Sequence, residues 1–310
     1  MLEIKGLSKQ YGQAVALQDV SFEVNQGEIV ALLGANGSGK TTTINSICNL
    51  IEIDSGDINF EGLSIQKDRR YLAEIGAVLG GSRNINWRLT ASQNARYFAA
   101  LKGYQSKQIR SNIAKLEQQL GLDKYANLEV LKLSTGNKQK ASLLCALAYS
   151  PKLLLLDEPT LGLDFGTVNE LQDIIKQQSN SIGQGYLITS HDMSFIDKIC
   201  QKVIVIDKGK LIFNGSIEAL KSKLFTYRLR FIAPNLNDEQ AKSAVLQHCL
   251  GDYHYQQDQH VLNIQYKQPE QVLGLLAWLH SSCVELTDLS MTKLTMEDAY
   301  QSLTARNQTK

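Results

Sequence analysis

GEIVALLGANGSGKTTTINSICNL, residues 27–50, passes from an unbroken apolar run through a glycine-rich turn into a helical pattern. The apolar run GEIVALLG, 27–34, reads as a strand buried on both faces, because a half-exposed strand would alternate apolar and polar residues. Thr41 to Leu50 reads as a helix. Between them, Gly34-Ala35-Asn36-Gly37-Ser38-Gly39-Lys40-Thr41 is a complete G-x-x-x-x-G-K-[ST]. Its glycines let the backbone curl so that successive N–H groups point inward at phosphate oxygens, aided by the positive end of the following helix. Lys40 is placed to bridge the β and γ phosphates. Thr41 offers a hydroxyl to magnesium, and Thr42 can support the α phosphate.

Further apolar strands recur at Leu153 to Leu156, Tyr186 to Thr189 and Val203 to Ile206, with helical stretches between them. That alternation predicts a parallel α/β sheet. Residues 2–5 and 19–24 alternate apolar and polar, as half-buried antiparallel strands do. From about Leu89 to Tyr149 the chain is mostly helical, which predicts a helical lobe. After about Leu220 the texture changes to a βαββαβ order, the pattern of a ferredoxin-like module. The chain therefore reads as an α/β domain over 1–220, with its helical subdomain at about 85–150, and a smaller α+β domain over 221–310.

Asp157 closes the LLLLD strand and Glu158 follows it. Alone, such a pair is a solvated turn. Beside a phosphate loop, Asp157 can hold magnesium through water, and Glu158 can polarise the attacking water as a general base. A third segment, Leu133-Ser134-Thr135-Gly136-Asn137-Lys138-Gln139, would in isolation be a helix N-cap. In this order the three segments resemble the ATP-binding cassette (ABC) ATPases, whose signature L-S-x-G-x-x-Q is matched at every fixed position.

The resemblance spans about residues 1–220 and implies further roles. Tyr11 stands where the family stacks an aromatic on adenine. Leu161-Gly162-Leu163-Asp164 matches the D-loop, and His191 in TSHD matches the switch histidine. Two such domains meet head to tail, so that Ser134, Gly136 and Gln139 of one chain, with Asp164, complete the ATP site of the other. Glu158 then activates water, and His191 secures the γ phosphate. The implied cofactors are ATP and Mg2+, and the second ATPase subunit is expected to be another copy of this chain or a paralogue of it.

The resemblance departs at Gly80-Gly81-Ser82-Arg83-Asn84, where the family usually carries a glutamine that touches the metal and relays to the membrane partner. A carbonyl or bridging water can replace that contact. The following Trp87-Arg88-Leu89-Thr90 and Gln93-Asn94 resemble a partner-docking surface: an exposed Trp87 suits a pocket anchor, a buried one would be core. Thr292 to Tyr300 looks like the closing helix of ABC-2-type export ATPases. The expected partner is thus a separate integral membrane permease, which would place this chain on the cytoplasmic face of the membrane. The competing class is a non-transport ABC machine acting on ribosomes, nucleic acid or an assembly complex.

Composition limits these readings. Lys and Arg number 32 against 31 Asp and Glu, a formal charge of +1, which leaves no overall electrostatic footprint for nucleic acid. Five cysteines, Cys48, Cys145, Cys200, Cys249 and Cys283, are scattered and never form C-x-x-C, which suits reduced thiols. His248, His254, His260 and His280 share no helical face, so a metal site among them is not expected. No signal peptide or membrane-spanning run is evident.

Overall fold

A computed structural model describes residues 1–80, 85–222, 227–247, 253–268, 270–293 and 295–308. They form two compact units, Met1–Ser216 and Ile217–Lys310. The first opens with the hairpin β1 (Leu2–Tyr11) and β2 (Ala14–Val24), followed by β3 (Ile29–Leu33), α1 (Lys40–Ile47), β4 (Ser55–Phe60), β5 (Leu63–Ser64) and β6 (Ile75–Val78). Three helices follow, α2 (Ala91–Leu101), α3 (Ser106–Gln119) and α4 (Thr135–Leu147). The unit closes with β7 (Leu153–Asp157), α5 (Phe165–Ile182), β8 (Gly185–Thr189), α6 (Met193–Ile199), β9 (Lys202–Asp207) and β10 (Lys210–Ser216).

Six of these strands form one sheet in the order β10-β9-β3-β8-β7-β6, parallel except for β10. Its central strands β3 and β8 are buried at every residue, as continuous apolar runs require. The order jumps from β3 to β8 and from β8 back to β7, so the loops after these three strands open at the same sheet edge, where α/β proteins bind ligands. A second, antiparallel sheet runs β2-β1-β4-β5. Leu2, Ile4, Val20 and Ile58 from that sheet share one core with Val30, Leu155 and Leu187 of the large sheet.

The strands expected at 2–5 and 19–24 are both longer, because hairpin pairing carries the ladder through polar residues. SGDINF of β4 shows no apolar run and KLIFNGS of β10 only the short Leu211-Ile212-Phe213, and their pairing with β1 and β9 reveals them. The helix expected over 41–50 ends at Ile47. Asn49 adopts φ +53°, and the Leu50 N–H donates to Asn45 O at 2.9 Å, a left-handed stop at which Asn is tolerated. The helical stretch contains α2, α3 and α4, with Lys102 Nζ donating to the carbonyls of Leu72 and Ile75 beside β6.

The second unit comprises α7 (Ile217–Ser222), β11 (Tyr227–Ile232), α8 (Asp238–Gln247), β12 (Tyr253–Gln256), β13 (Val261–Tyr266), α9 (Glu270–Ser281), β14 (Thr287–Lys293) and α10 (Met296–Gln308). From β11 to β14 the order is βαββαβ, and the sheet order β12-β13-β11-β14, antiparallel throughout, is that of a split βαβ unit. Leu229, Phe231, Leu262 and Ile264 pack with Ala241, Val245, Val272 and Leu275. VELTDLS, 284–290, reads in sequence as the last strand, but that strand lies at 287–293 instead: Val284 and Leu286 pack on the core without joining the ladder. The closing helix starts at Met296, where the Thr295 hydroxyl accepts from Asp298 N–H and the Asp298 carboxylate accepts from Thr295 N–H. His248 and Cys249 lie outside the described residues. Among the described residues, no helix is long and apolar enough to cross a membrane, and no cluster of His, Cys, Asp and Glu could hold a metal ion.

Leu155 is fully buried at the centre of β7, so its truncation leaves a cavity in the shared core. Leu155→Ala is expected to cost about 2–5 kcal/mol in urea unfolding with an unchanged m-value.

Candidate active site

The site begins where β3 ends. A methyl group built on Gly34 would lie 2.2 Å from Ser38 Oγ and 2.3 Å from the Ile206 carbonyl oxygen, so the chain passes β9 at a distance only glycine allows. Gly39, the N-cap of α1, has φ +115°, and a methyl there would meet Leu17 Cδ2 at 2.5 Å and Ala16 O at 2.6 Å. Gly37 has φ +78° with open space around it. With no capping side chain at Gly39, the N–H groups of Lys40, Thr41 and Thr42 have no acceptor within α1. They face outward as a positive, donor-rich cup.

Lys40 Nζ donates back to the carbonyls of Gly34 (2.8 Å) and Ala35 (3.1 Å). Burial lowers its pKa, opposed by the nearby charges of Glu158 and Asp157. Ser38 Oγ is buried with no hydrogen-bond partner. An ammonium satisfied only by carbonyls, an orphan hydroxyl and free amides together fit an oxygen-rich polyanion.

Asp157 and Glu158 emerge from β7 beside the end of β8. The Glu158 backbone takes φ +52°, and its N–H donates to both Thr189 O and Thr189 Oγ1 at 3.1 Å. The Thr189 hydroxyl donates to Asp157 Oδ1 at 2.6 Å. Glu158 Oε2 accepts from the His191 N–H at 3.2 Å. Glu158 Oε1 lies 3.4 Å from His191 Nε2 without hydrogen-bond geometry, so this buried oxygen keeps an open acceptor. Lys40, Asp157, Glu158 and His191 are therefore brought together.

The signature residues make a separate cluster. Ser134 caps α4 by accepting from Asn137 N–H at 3.3 Å, and Gln139 Nε2 donates to Pro159 O at 3.5 Å. A methyl on Gly136 would lie 2.9 Å from Gly162 O, so this helix start packs on the 161–164 turn. Asp164 caps α5, and the Thr167 N–H and then its hydroxyl hold the carboxylate below the usual range. These contacts tie Ser134, Gly136 and Asp164 to their own helices and turn rather than to the phosphate loop. Tyr11 ends β1, 49% exposed, with Lys9 Nζ over its ring. The strand after it, β2, carries the Ala16 and Leu17 that touch Gly39. Gly80 lies against Asp157, where a methyl would be 3.3 Å from Oδ2, while Gly81 to Asn84 lie outside the described residues. Trp87 is 43% exposed with Lys138 Nζ over its ring.

The family described as ABC transporter matches residues 17–161. The chain is 34% identical over 206 residues to the ABC transporter ATP-binding protein NatA of Bacillus subtilis, covering 66% of this chain and 83% of that protein. It is 31% identical over 224 residues to the linearmycin resistance ATP-binding protein LnrL of the same organism, covering 72% of each. The chain belongs to the ABC transporter ATP-binding proteins. A solved ATP-binding subunit of an ABC transporter matches with a TM-score of 0.68 at 28% identity, over 72% of this chain and 92% of that one. A dimeric ATP-binding cassette holding ADP and Pi matches at 0.64 and 25% identity, over 70% and 98%. This ABC ATPase accordingly binds and hydrolyses ATP. The family match ends at Leu161, so Asp164, Thr189 and His191 lie beyond it.

Sequence reading missed Thr189 and the contact of Ala16 with the phosphate loop. The signals for Thr189 were a polar residue ending the apolar run GYLI and its place as the first residue of TSHD, two before His191. The glycines can be told apart experimentally. Gly37→Ala is expected to retain ATP binding and to cost about 1–2 kcal/mol for its left-handed φ. Gly34→Ala, colliding with backbone, is expected to abolish binding in calorimetry.

Proposed function

We propose that this ATPase powers export through a separate integral membrane permease, working as a head-to-tail dimer of two copies. The observation that carries the reading is the meeting of Lys40, Asp157, Glu158 and His191 at one sheet edge, with Ser134 and Gly136 engaged by their own helix and the 161–164 turn. A phosphate cradle separated from its own Ser134 and Gly136 is half of a site, and a second copy supplies the other half.

In this reading, residues 1–220 are the nucleotide-binding domain, with its helical subdomain at about 85–150. Residues 221–310 are a ferredoxin-like accessory domain. Tyr11 stacks on adenine, and residues 34–42 hold the phosphates with Lys40 swinging from its carbonyls to the β and γ oxygens. Magnesium fits the hard oxygen donors present: the Thr41 hydroxyl and the Asp157 Oδ2 that faces Gly80 would hold it. When bound, it draws charge from the β and γ phosphate oxygens. Glu158 Oε1, buried with an open acceptor position, takes the proton of the attacking water. His191 steadies that carboxylate through its N–H and turns its ring to the γ phosphate. The partner chain's signature helix adds its N-terminal dipole, and loss of the γ phosphate releases the clamp.

Two features support a permease partner. Trp87 is exposed, and nearby a cavity of about 410 Å3 is lined by Leu79, Ile85, Phe98, Lys102 and Tyr149. Its mainly apolar wall suits a short helix offered by a membrane chain. Peripheral placement on the cytoplasmic face follows from that partner.

Glu158→Gln is expected to keep ATP affinity, lower turnover by about 10²-fold or more and give an ATP-dependent dimer by size exclusion; wild-type turnover would remove Glu158 as base. Affinity purification from membranes is expected to recover a polytopic protein. Recovery of ribosomes or nucleic acid instead, lost as salt is raised, would favour a non-transport machine.

A further inference from the structure

We propose that Thr189 is a positioning residue of the hydrolytic site, whose single hydroxyl fixes both the metal-side carboxylate and the backbone of the general base. The inference rests on the roles proposed above for Asp157 and Glu158. Thr189 is the last residue of β8, in register with Asp157 at the end of β7, and is fully buried. Its hydroxyl lies 2.6 Å from Asp157 Oδ1 and 3.1 Å from the Glu158 nitrogen.

Chemistry fixes both directions. A backbone N–H can only donate and an ionised carboxylate can only accept, so the hydroxyl accepts from Glu158 and gives its one proton to Asp157. Valine at this position would fill the same space and suit the strand, yet would do neither.

The hydroxyl has two consequences for the site. Oδ1 of Asp157 is occupied, which leaves Oδ2, on the Gly80 side, as the oxygen free to face a metal-bound water. Glu158 sits at φ +52°, a conformation that costs a non-glycine residue energy and needs external support. Its N–H receives that support from the Thr189 carbonyl and hydroxyl together. Two neighbouring contacts run between the same two turns: His191 N–H to Glu158 Oε2 at 3.2 Å, and Thr160 Oγ1 with Ser190 Oγ at 3.5 Å. The Thr189 hydroxyl is the only member of the group that touches both acidic residues.

The test compares Thr189→Val, Thr189→Ser and Thr189→Ala in the full chain, with Glu158→Gln alongside. Thr189→Val is expected to lower kcat about 10- to 30-fold while KM for ATP moves less than about 3-fold, the split of a group acting on the chemical step. Thr189→Ser is expected to keep at least about half of wild-type kcat, since the hydroxyl remains. A second readout needs no turnover. Magnesium should raise the melting temperature of the ATP-bound protein, relative to ATP with EDTA, less in the valine variant than in wild type or the serine variant.

Wild-type kcat in Thr189→Val would overturn the proposal, as would a serine variant as impaired as the valine one. If the valine variant does not fold, the alanine and serine variants decide: low and high activity support the hydroxyl, and two low values overturn it. Full turnover by Glu158→Gln would refute the base assignment itself. An inactive Glu158→Gln beside an unaffected Thr189→Val would remove only the role of Thr189.

Discussion

Burial of β3, β7 and β8 on both faces is the constraint on which the site depends. Strands covered by helices or by a second sheet cannot carry polar side chains along their length, so Leu32, Leu155 and Leu187 stand where chemistry is excluded. Polar groups can enter only where the strands end. The parallel register, with Leu156 beside Ile188 and Asp157 beside Thr189, brings those ends level. The phosphate loop, the acidic pair and the switch turn therefore meet because their strands stop together.

Close packing of backbone gives that edge its second property. Gly34 passes within a methyl's reach of the Ile206 carbonyl, Gly39 presses on Ala16 and Leu17, and the Gly209 N–H donates to Ser38 O at 3.0 Å. The phosphate loop is thus held from β2, from β9 and from the turn between β9 and β10, and its amides are oriented before any ligand arrives. Preorganisation matters here because a donor already aimed at the phosphate needs no reorganisation when charge develops. Lys40 is the movable member, resting on its own loop's carbonyls while burial disfavours its charge and Glu158 and Asp157 favour it.

What the sequence discloses follows from how local each cause is. The phosphate loop, the LLLLD strand and the signature are legible because a strand, a turn and a helix follow one another within a few residues. The helix stop at Asn49 and the strand β10 are less so, since one depends on a left-handed residue and the other on a partner strand. The displacement of β14 has the same origin: VELTDLS alternates as well as TDLSMTK, and only pairing with β11 selects the latter. Thr189 opens the TSHD segment, yet its contact with the acidic pair was hidden because a threonine at a strand end is ordinary. Its partner Asp157 is 32 positions away, and nothing local announces that the two strand ends are level.

The positive φ of Glu158 joins these strands of reasoning. A glutamate in the left-handed region costs about 1–3 kcal/mol, and such strain persists only where the surroundings over-determine it. Here the chain after β7 turns at Glu158, and the next position, Pro159, accepts from Gln139 of the signature helix. The left-handed turn holds the Glu158 carboxylate against the His191 N–H and within the field of Lys40. The same bend links the acidic pair to the signature helix through Pro159, so the two clusters share one short segment of backbone. Displacement of that helix would pull on the residue whose conformation is already strained.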